Sequence, residues 1–212
     1  MKDFPIFPTE YGVASLVLKE IPYKQTAYIT IRDSLEPEKL VAECVSFCRA
    51  CGAEKIYAAG HPALERYPLH TAVVEMRGTA EPDPALVEYL FPVTEQTVSR
   101  WRSICNERMR DVDNAATLET RDEKTILESG GAYFVHRDGR LLGIGWLEGE
   151  KLLAVAAAEP GAGQRVMHTL MSLIEGMPMT LEVASTNERA IRLYERLGFI
   201  RTGELRRWYR VL

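Results

Sequence analysis

Little in this 212-residue chain is extreme, and what is missing narrows its class. No apolar run approaches the roughly 20 residues needed to cross a bilayer, so no membrane partner is expected. The opening stretch, MKDFPIFPTE, lacks the apolar core of a secretion signal. Cysteine is scarce: four residues form no small disulfide-type framework, which fits a reducing, cytoplasmic setting. Neither sign of charge dominates. A net charge of −4 gives no field that would favour nucleic acid or an anionic membrane surface. The histidines, His61, His70, His136 and His168, stand at no metal-ligand spacing, so no metal is expected.

What is present is ordinary globular composition, with 46% apolar and 26% charged residues. The length suits one large domain or two small ones. The one cysteine cluster, CVSFCRAC, has the C-x3-C-x2-C spacing used by iron–sulfur enzymes that cleave S-adenosylmethionine. Its neighbours argue otherwise. In PEKLVAECVSFCRACG, residues 37–52, the apolar and thiol positions Leu40, Val41, Cys44, Val45, Phe47, Cys48 and Cys51 recur in steps of three and four. Pro37 suits a first helical turn and Gly52 the position past the end. On that helix the three thiols climb about 10 Å along one face and cannot converge on one cluster. They read as core, as does Cys105, which recurs with Val98, Trp101 and Met109.

Strand and helix patterns alternate along the chain. YGVASLVLKE, TAYITIR, EKIYAAG and TAVVEMRG read as strands around the cysteine helix. TAEPDPAL, with its prolines and acids, reads as a linker, dividing an α/β region of residues 1–80 from residues 85–212. Beyond it the pattern predicts a strand over 87–93, a helix over 95–111, and a hairpin turning at Asp138-Gly139. KLLAVAAA then reads as a buried central strand. A helix over 161–176, the strand MTLEVAS, a helix over 187–198 and a last strand complete the order. This is an α/β (α+β) arrangement, a mixed central sheet with flanking helices.

Two stretches can carry chemistry. In AAEPGAGQRVMHTL a buried strand passes through Gly161-Ala162-Gly163 into a helix. Glycine lets a ligand approach the backbone, and the free N–H groups of a helix N-terminus attract an anion such as a pyrophosphate. The same turn also occurs for structural reasons alone, and it is neither a dinucleotide fingerprint nor a Walker loop. In LEVASTNERAIRLYERLGF, residues 181–199, a strand precedes a helix. Ser185 and Glu188 form a candidate capping box, with Thr186 and Asn187 as competing caps. Ala190, Ile191, Tyr194 and Leu197 share a face, so Tyr194 can also be read as a core aromatic.

The run N-x-x-A-x-x-L-Y-x-x-x-G-F resembles the C-terminal motif of the GCN5-related N-acetyltransferase (GNAT) superfamily. The PGAG segment resembles that family's pyrophosphate loop, Q/R-x-x-G-x-G/A. The resemblance covers about residues 85–212. It implies a direct transfer of an acetyl group from acetyl-CoA to a primary amine, on a small molecule or a peptide, without a metal. It implies that acetyl-CoA lies where the strand containing Leu153, Ala154, Val155 and Ala156 splays from Thr180–Ser185. It places the pyrophosphate on the backbone of Gly161, Ala162, Gly163, Gln164 and Arg165, and the cofactor arm beside Asn187 and Ala190. Tyr194 becomes the acid for the departing thiolate. Glu182 becomes a base for the amine, by likeness to the ribosomal-protein N-terminal acetyltransferases; otherwise it is an outward-facing strand residue.

The chain departs from the family at Ala158, where the loop usually begins with Gln or Arg. An alignment shifted by two residues puts Pro160 there. Ala184 stands where the ribosomal-protein enzymes commonly carry Arg. The weakened loop motivates an alternative function, a catalytically degenerate acyl-CoA-binding or regulatory module. Residues 1–80 read as a degenerate half of the same fold, or as a stabilising extension. The acceptor and the oligomeric state, monomer or homodimer, are left open by the sequence.

Overall fold

The computed structural model describes residues 3–212. Two compact units divide the described residues: the first runs as far as residue 73 and takes up 204–212, and the second is residues 74–203.

The first unit begins with strands β1 (Phe4–Thr9) and β2 (Gly12–Val17), an antiparallel hairpin. A short helix α1 (Ile21–Lys24) leads to β3 (Thr26–Ser34), antiparallel to β2. Helix α2 (Pro37–Ala50) then crosses to β4 (Lys55–Ala59), which runs parallel to β3 with five residue pairs in register. Strand β1 was not expected from the sequence, because FPIFPT carries Pro5 and Pro8. Proline lacks a ladder donor and is tolerated on a sheet edge, and β1 is at the edge. The cysteine helix forms as its stripe predicts. Leu40, Val41, Cys44 and Cys48 are buried against Leu16, Ile29 and Ile56. Desolvation pushes the Cys44 and Cys48 thiols up to about 12.

The chain enters the second unit within β5 (Leu69–Thr79), at Val74. There follow β6 (Tyr89–Pro92), helices α3 (Val98–Met109) and α4 (Asp122–Ser129), and the meander β7 (Ala132–Arg137), β8 (Arg140–Glu148) and β9 (Lys151–Ala157). Helix α5 (Gly163–Met171) crosses to β10 (Pro178–Ala184), and α6 (Glu188–Arg196) leads to β11 (Ile200–Arg210). Strand β11 leaves the unit after Gly203, and its residues Tyr209 and Arg210 pair with β4 of the first unit's sheet. The order in the second unit is β5-β10-β9-β8-β7-β6, antiparallel from β6 to β9 and parallel between β9 and β10.

Period-two alternation sends neighbours on one strand to opposite faces. Val135 packs with α5 and α6, through Val166, Leu170 and Ile191. Phe134 and Ile144 pack on the other face with Trp101 and Cys105 of α3. Helix α5 lies very close to β8. A Cβ at Gly145 would come within 2.3 Å of Leu170 Cδ1, and one at Gly143 within 2.7 Å of Val166 Cγ2. Glycine at these two positions is what lets α5 approach the sheet.

Candidate functional site

The central feature is where β9 and β10 stop pairing. They are parallel neighbours, but only Lys151↔Thr180 and Leu152↔Leu181 are in register. From Leu153 to Ala157 on β9, and from Glu182 to Ala184 on β10, no partner pairs are in register. On its other side, β9 stays paired to β8 as far as Ala157.

A bulge marks the place of departure. Leu152 pairs with Leu147 and Ala154 with Trp146, so two steps on β9 match one on β8 and Leu153 is the extra residue. The bulge switches faces. Leu152 packs with α5 and α6, whereas Ala154 packs with α3 and α4. An unbroken strand would put these two residues on one face. Leu153 itself is exposed. The apolar run KLLAVAAA, having no alternation to break, concealed this from sequence reasoning.

Beyond β9 the chain turns through Gly161 (φ +85°) into α5. The first helical bond there runs from Val166 N–H to the Ala162 carbonyl, 3.0 Å. The N–H groups of Gly163, Gln164 and Arg165 precede that bond and have no carbonyl one turn back. The cap residue, Ala162, offers no side-chain acceptor, and the first turn carries no acid. The arrangement therefore favours an anion. The Arg165 guanidinium is engaged by the Glu88 carboxylate at 2.6 Å, which is 9% exposed. Arg137 lies 3.8 Å from the same oxygen.

The segment 83–88 is strapped onto α5 by two further bonds. Asp83 N–H donates to His168 Nδ1 (3.0 Å) and Glu88 N–H to Thr169 Oγ1 (3.0 Å). Burial holds the His168 imidazole below its ordinary pKa, against a smaller upward pull from Asp83.

Helix α6 is capped by Asn187, whose Oδ1 accepts from Ala190 N–H at 3.2 Å. The competition foreseen among Ser185, Thr186 and Asn187 resolves there. Glu188 pairs with Arg192 one turn on. Tyr194 packs its ring against Phe199 and is 7% exposed. Among the described residues its hydroxyl has no hydrogen-bond partner. Desolvation pushes its pKa up to about 12, so the proton stays in place across the neutral range. Glu182 projects from the exposed side of β10, with its side chain 43% exposed, and pairs with Lys151 Nζ at 2.6 Å.

One connection was not foreseen. The segment between α3 and α4 is pinned where Asn106 exchanges two hydrogen bonds with the Leu118 backbone, at 2.8 and 2.9 Å. It is also pinned where the Thr186 hydroxyl donates to Asp113 Oδ2 at 2.6 Å. The second contact attaches it to the junction of β10 and α6. No spacing in the sequence announces a bond across 73 residues.

Among the described residues, no group of three or more His, Cys, Asp or Glu side chains can hold a metal ion. No described helix is long and apolar enough to cross a membrane.

Solved structures of GCN5-related N-acetyltransferases align along most of this chain. A GNAT-family acetyltransferase from Colwellia psychrerythraea is 12% identical, with 97% of this chain and 84% of that one covered, at a TM-score of 0.51. A GCN5-related N-acetyltransferase from Sphaerobacter thermophilus is 10% identical, covering 93% and 76%, at 0.52. One from Anabaena variabilis is 7% identical, covering 93% and 59%, at 0.59. At such identities the likeness is one of fold. Coverage this wide takes in the first unit as well as residues 85–212. The curated N-alpha-acetyltransferase RimI of Mycobacterium tuberculosis is 41% identical over 51 residues, which are 24% of this chain and about a third (32%) of that protein's length. No protein-family model matches the chain. The fold is that of the GNAT acetyltransferases, as the motifs around residues 158–163 and 187–199 imply.

Proposed function

We propose that the second unit is an acetyl-CoA-dependent N-acyltransferase acting on a primary amine by direct transfer. The observation that carries this reading is the parting of β9 and β10 after a single bulge, beside a helix N-terminus free of acids. Backbone groups facing that gap have no strand partner across it. They suit an extended arm with amide groups of its own, while the first turn of α5 suits its pyrophosphate. Acetyl-CoA supplies an activated acyl thioester there.

The residues of the chain divide the remaining work. Strand N–H groups around Leu153–Ala156 hold the arm and donate to the carbonyl oxygen, where negative charge develops. Gly161, Ala162, Gly163, Gln164 and Arg165 receive the phosphates through backbone donors. Asn187 retains its Nδ2 donors for the arm after spending Oδ1 on the cap, with Ala190 beside it. The Tyr194 hydroxyl, desolvated and unpaired, gives its proton to the departing sulfur. A lysine-type amine has a pKa near 10.4 and must lose a proton to attack. Glu182 takes that proton, directly or through water, on leaving Lys151.

A second reading, an acyl-CoA-binding module without turnover, is favoured by the Arg165–Glu88 pair. That pair occupies a guanidinium close to the anion site, in a loop that already has Ala158 at its first position. A thermal-shift titration with acetyl-CoA, followed by thiol release over a panel of primary amines, separates the two. Binding with release supports the enzyme. Binding without release on any amine supports the module, and the absence of binding defeats both.

A further inference from the structure

We propose that Asn114 is a specificity-determining residue whose carboxamide receives an amide group carried by the acceptor next to its amine. The inference rests on the acyltransferase reading above and names the class of amine that reading leaves open. Asn114 lies in the segment between α3 and α4, next to Asp113, whose carboxylate is bonded to Thr186. Thr186 follows the end of β10, the strand that parts from β9, and precedes the Asn187 cap. Asn114 is therefore fixed near the mouth of the gap by a contact its own side chain does not make.

Its backbone is left-handed, with φ +59°. Asparagine tolerates that conformation better than most side chains, and such residues gather at binding sites. Both polar atoms of its side chain, Oδ1 and Nδ2, are buried without a hydrogen-bond partner among the described residues. A buried amide with neither atom bonded is costly, and a group that bonds both atoms relieves that cost. A carboxamide shows one acceptor and one donor side by side. A second amide matches both at once with two antiparallel hydrogen bonds. An ammonium group would satisfy only Oδ1, and a carboxylate only Nδ2. The predicted acceptors are thus amino-acid amides and amines of peptides, in preference to simple alkylamines.

The test compares alaninamide with 3-methylbutan-2-amine, in which an isopropyl group of similar size and the same number of heavy atoms replaces the amide. Asn114→Gly removes the carboxamide and adopts the left-handed backbone without strain, and Asn114→Asp keeps the shape but not the donor. The quantity read is the ratio of kcat/KM for the two amines, variant against wild type, in which the amines' own pKa values cancel. Asn114→Gly should lower the preference for alaninamide roughly tenfold or more, and Asn114→Asp by less, with the KM for acetyl-CoA unchanged. An equal fall for both amines would mean that the amide only orders the loop or holds a water, and would overturn the proposal. If the wild type turns over no amine, saturation-transfer NMR of alaninamide with CoA-loaded protein decides. Binding that is lost in Asn114→Gly keeps the inference while the enzymatic reading falls, and no binding to wild type ends both.

Discussion

The two units each contain a parallel strand–helix–strand crossover, and the pair differ where it matters. In β3–α2–β4 the strands stay in register over five residues, Thr26 to Thr30 against Lys55 to Ala59. In β9–α5–β10 they are in register for two and then part. The helix starts differ in the same sense. Helix α2 follows DSLEPE, has Glu36 at its cap and Glu38 in its first turn, and its neighbouring Lys39 is bound to Glu36. Helix α5 starts after glycine, without an acid or a capping side chain. One crossover is closed and negatively lined; the other is open and positively polarised. The same topology serves as packing in one unit and as a candidate site in the other. Parted strands and bare amides make that difference, not the topology.

The largest expected effect removes the Tyr194 hydroxyl of α6, which is desolvated and has no hydrogen-bond partner among the described residues. Tyr194→Phe should lower turnover by roughly ten- to ten-thousandfold, as loss of a general acid does. Thermal stability and acetyl-CoA affinity should be unchanged, since the hydroxyl has no protein partner to lose. Stopped-flow or endpoint thiol release reads the first, and calorimetry the second. Turnover equal to wild type would reduce Tyr194 to a core aromatic and make α6 as inert as α2.

A second variant attacks the close approach that positions α5. Gly145→Ala puts a methyl 2.3 Å from Leu170 Cδ1. Overpacking of this kind costs about 1–3 kcal/mol. Leu170 is fully buried and has little room to turn aside, so α5 should be pushed off β8 and acetyl-CoA affinity should fall together with stability. A destabilised protein with unaltered affinity would separate the helix position from the anion site.

The third exchange makes α5 resemble α2. Gln164 is exposed in the first turn of α5. Gln164→Glu should stabilise the helix by a few tenths of a kcal/mol through the macrodipole, and weaken acetyl-CoA binding by about two- to fivefold through repulsion of phosphate. Opposite signs for stability and affinity are the signature sought by denaturation and titration. Glu38→Gln in α2 should leave acetyl-CoA affinity unchanged.

The legible parts of this protein are those governed by local periodicity. The α2 stripe with Cys44 and Cys48, the α6 face with Ile191 and Tyr194, and the Asp138-Gly139 hairpin all follow from near-neighbour spacing and form as read. What escaped depends on distant partners or on a broken rule. Strand β1 survives its two prolines because it has a free edge. The Leu153 bulge is silent in an apolar run, where either face accepts every residue. The return of residues 204–212 to the first unit, the Glu88–Arg165 pair and the Thr186–Asp113 bond each join positions that local pattern does not relate. Glu182 and Tyr194 were legible as candidates because their types and spacing fit a known motif. Their surroundings, an ion pair for one and an unpaired hydroxyl for the other, needed the fold.

The smallest effect concerns the strap that holds residues 83–88 on α5, a device α2 does not share. His168 accepts the Asp83 N–H through Nδ1, so it must be neutral there. Burial lowers its folded pKa below the unfolded value of about 6.5. Above that value both states are neutral at this site and it contributes no pH dependence. As pH falls below it, the unfolded chain takes up a proton that the folded one resists, and stability declines. The decline from this residue stops once pH passes below the folded pKa, with a slope of at most about 1.4 kcal/mol per pH unit. His168→Gln can still present a carbonyl oxygen to Asp83 N–H but does not titrate. Denaturant midpoints of wild type and variant should therefore run parallel above about pH 7 and converge or cross below about pH 6. Curves parallel throughout would show that the imidazole is held by packing alone, and that the strap on α5 is as indifferent to protons as the cysteine face of α2.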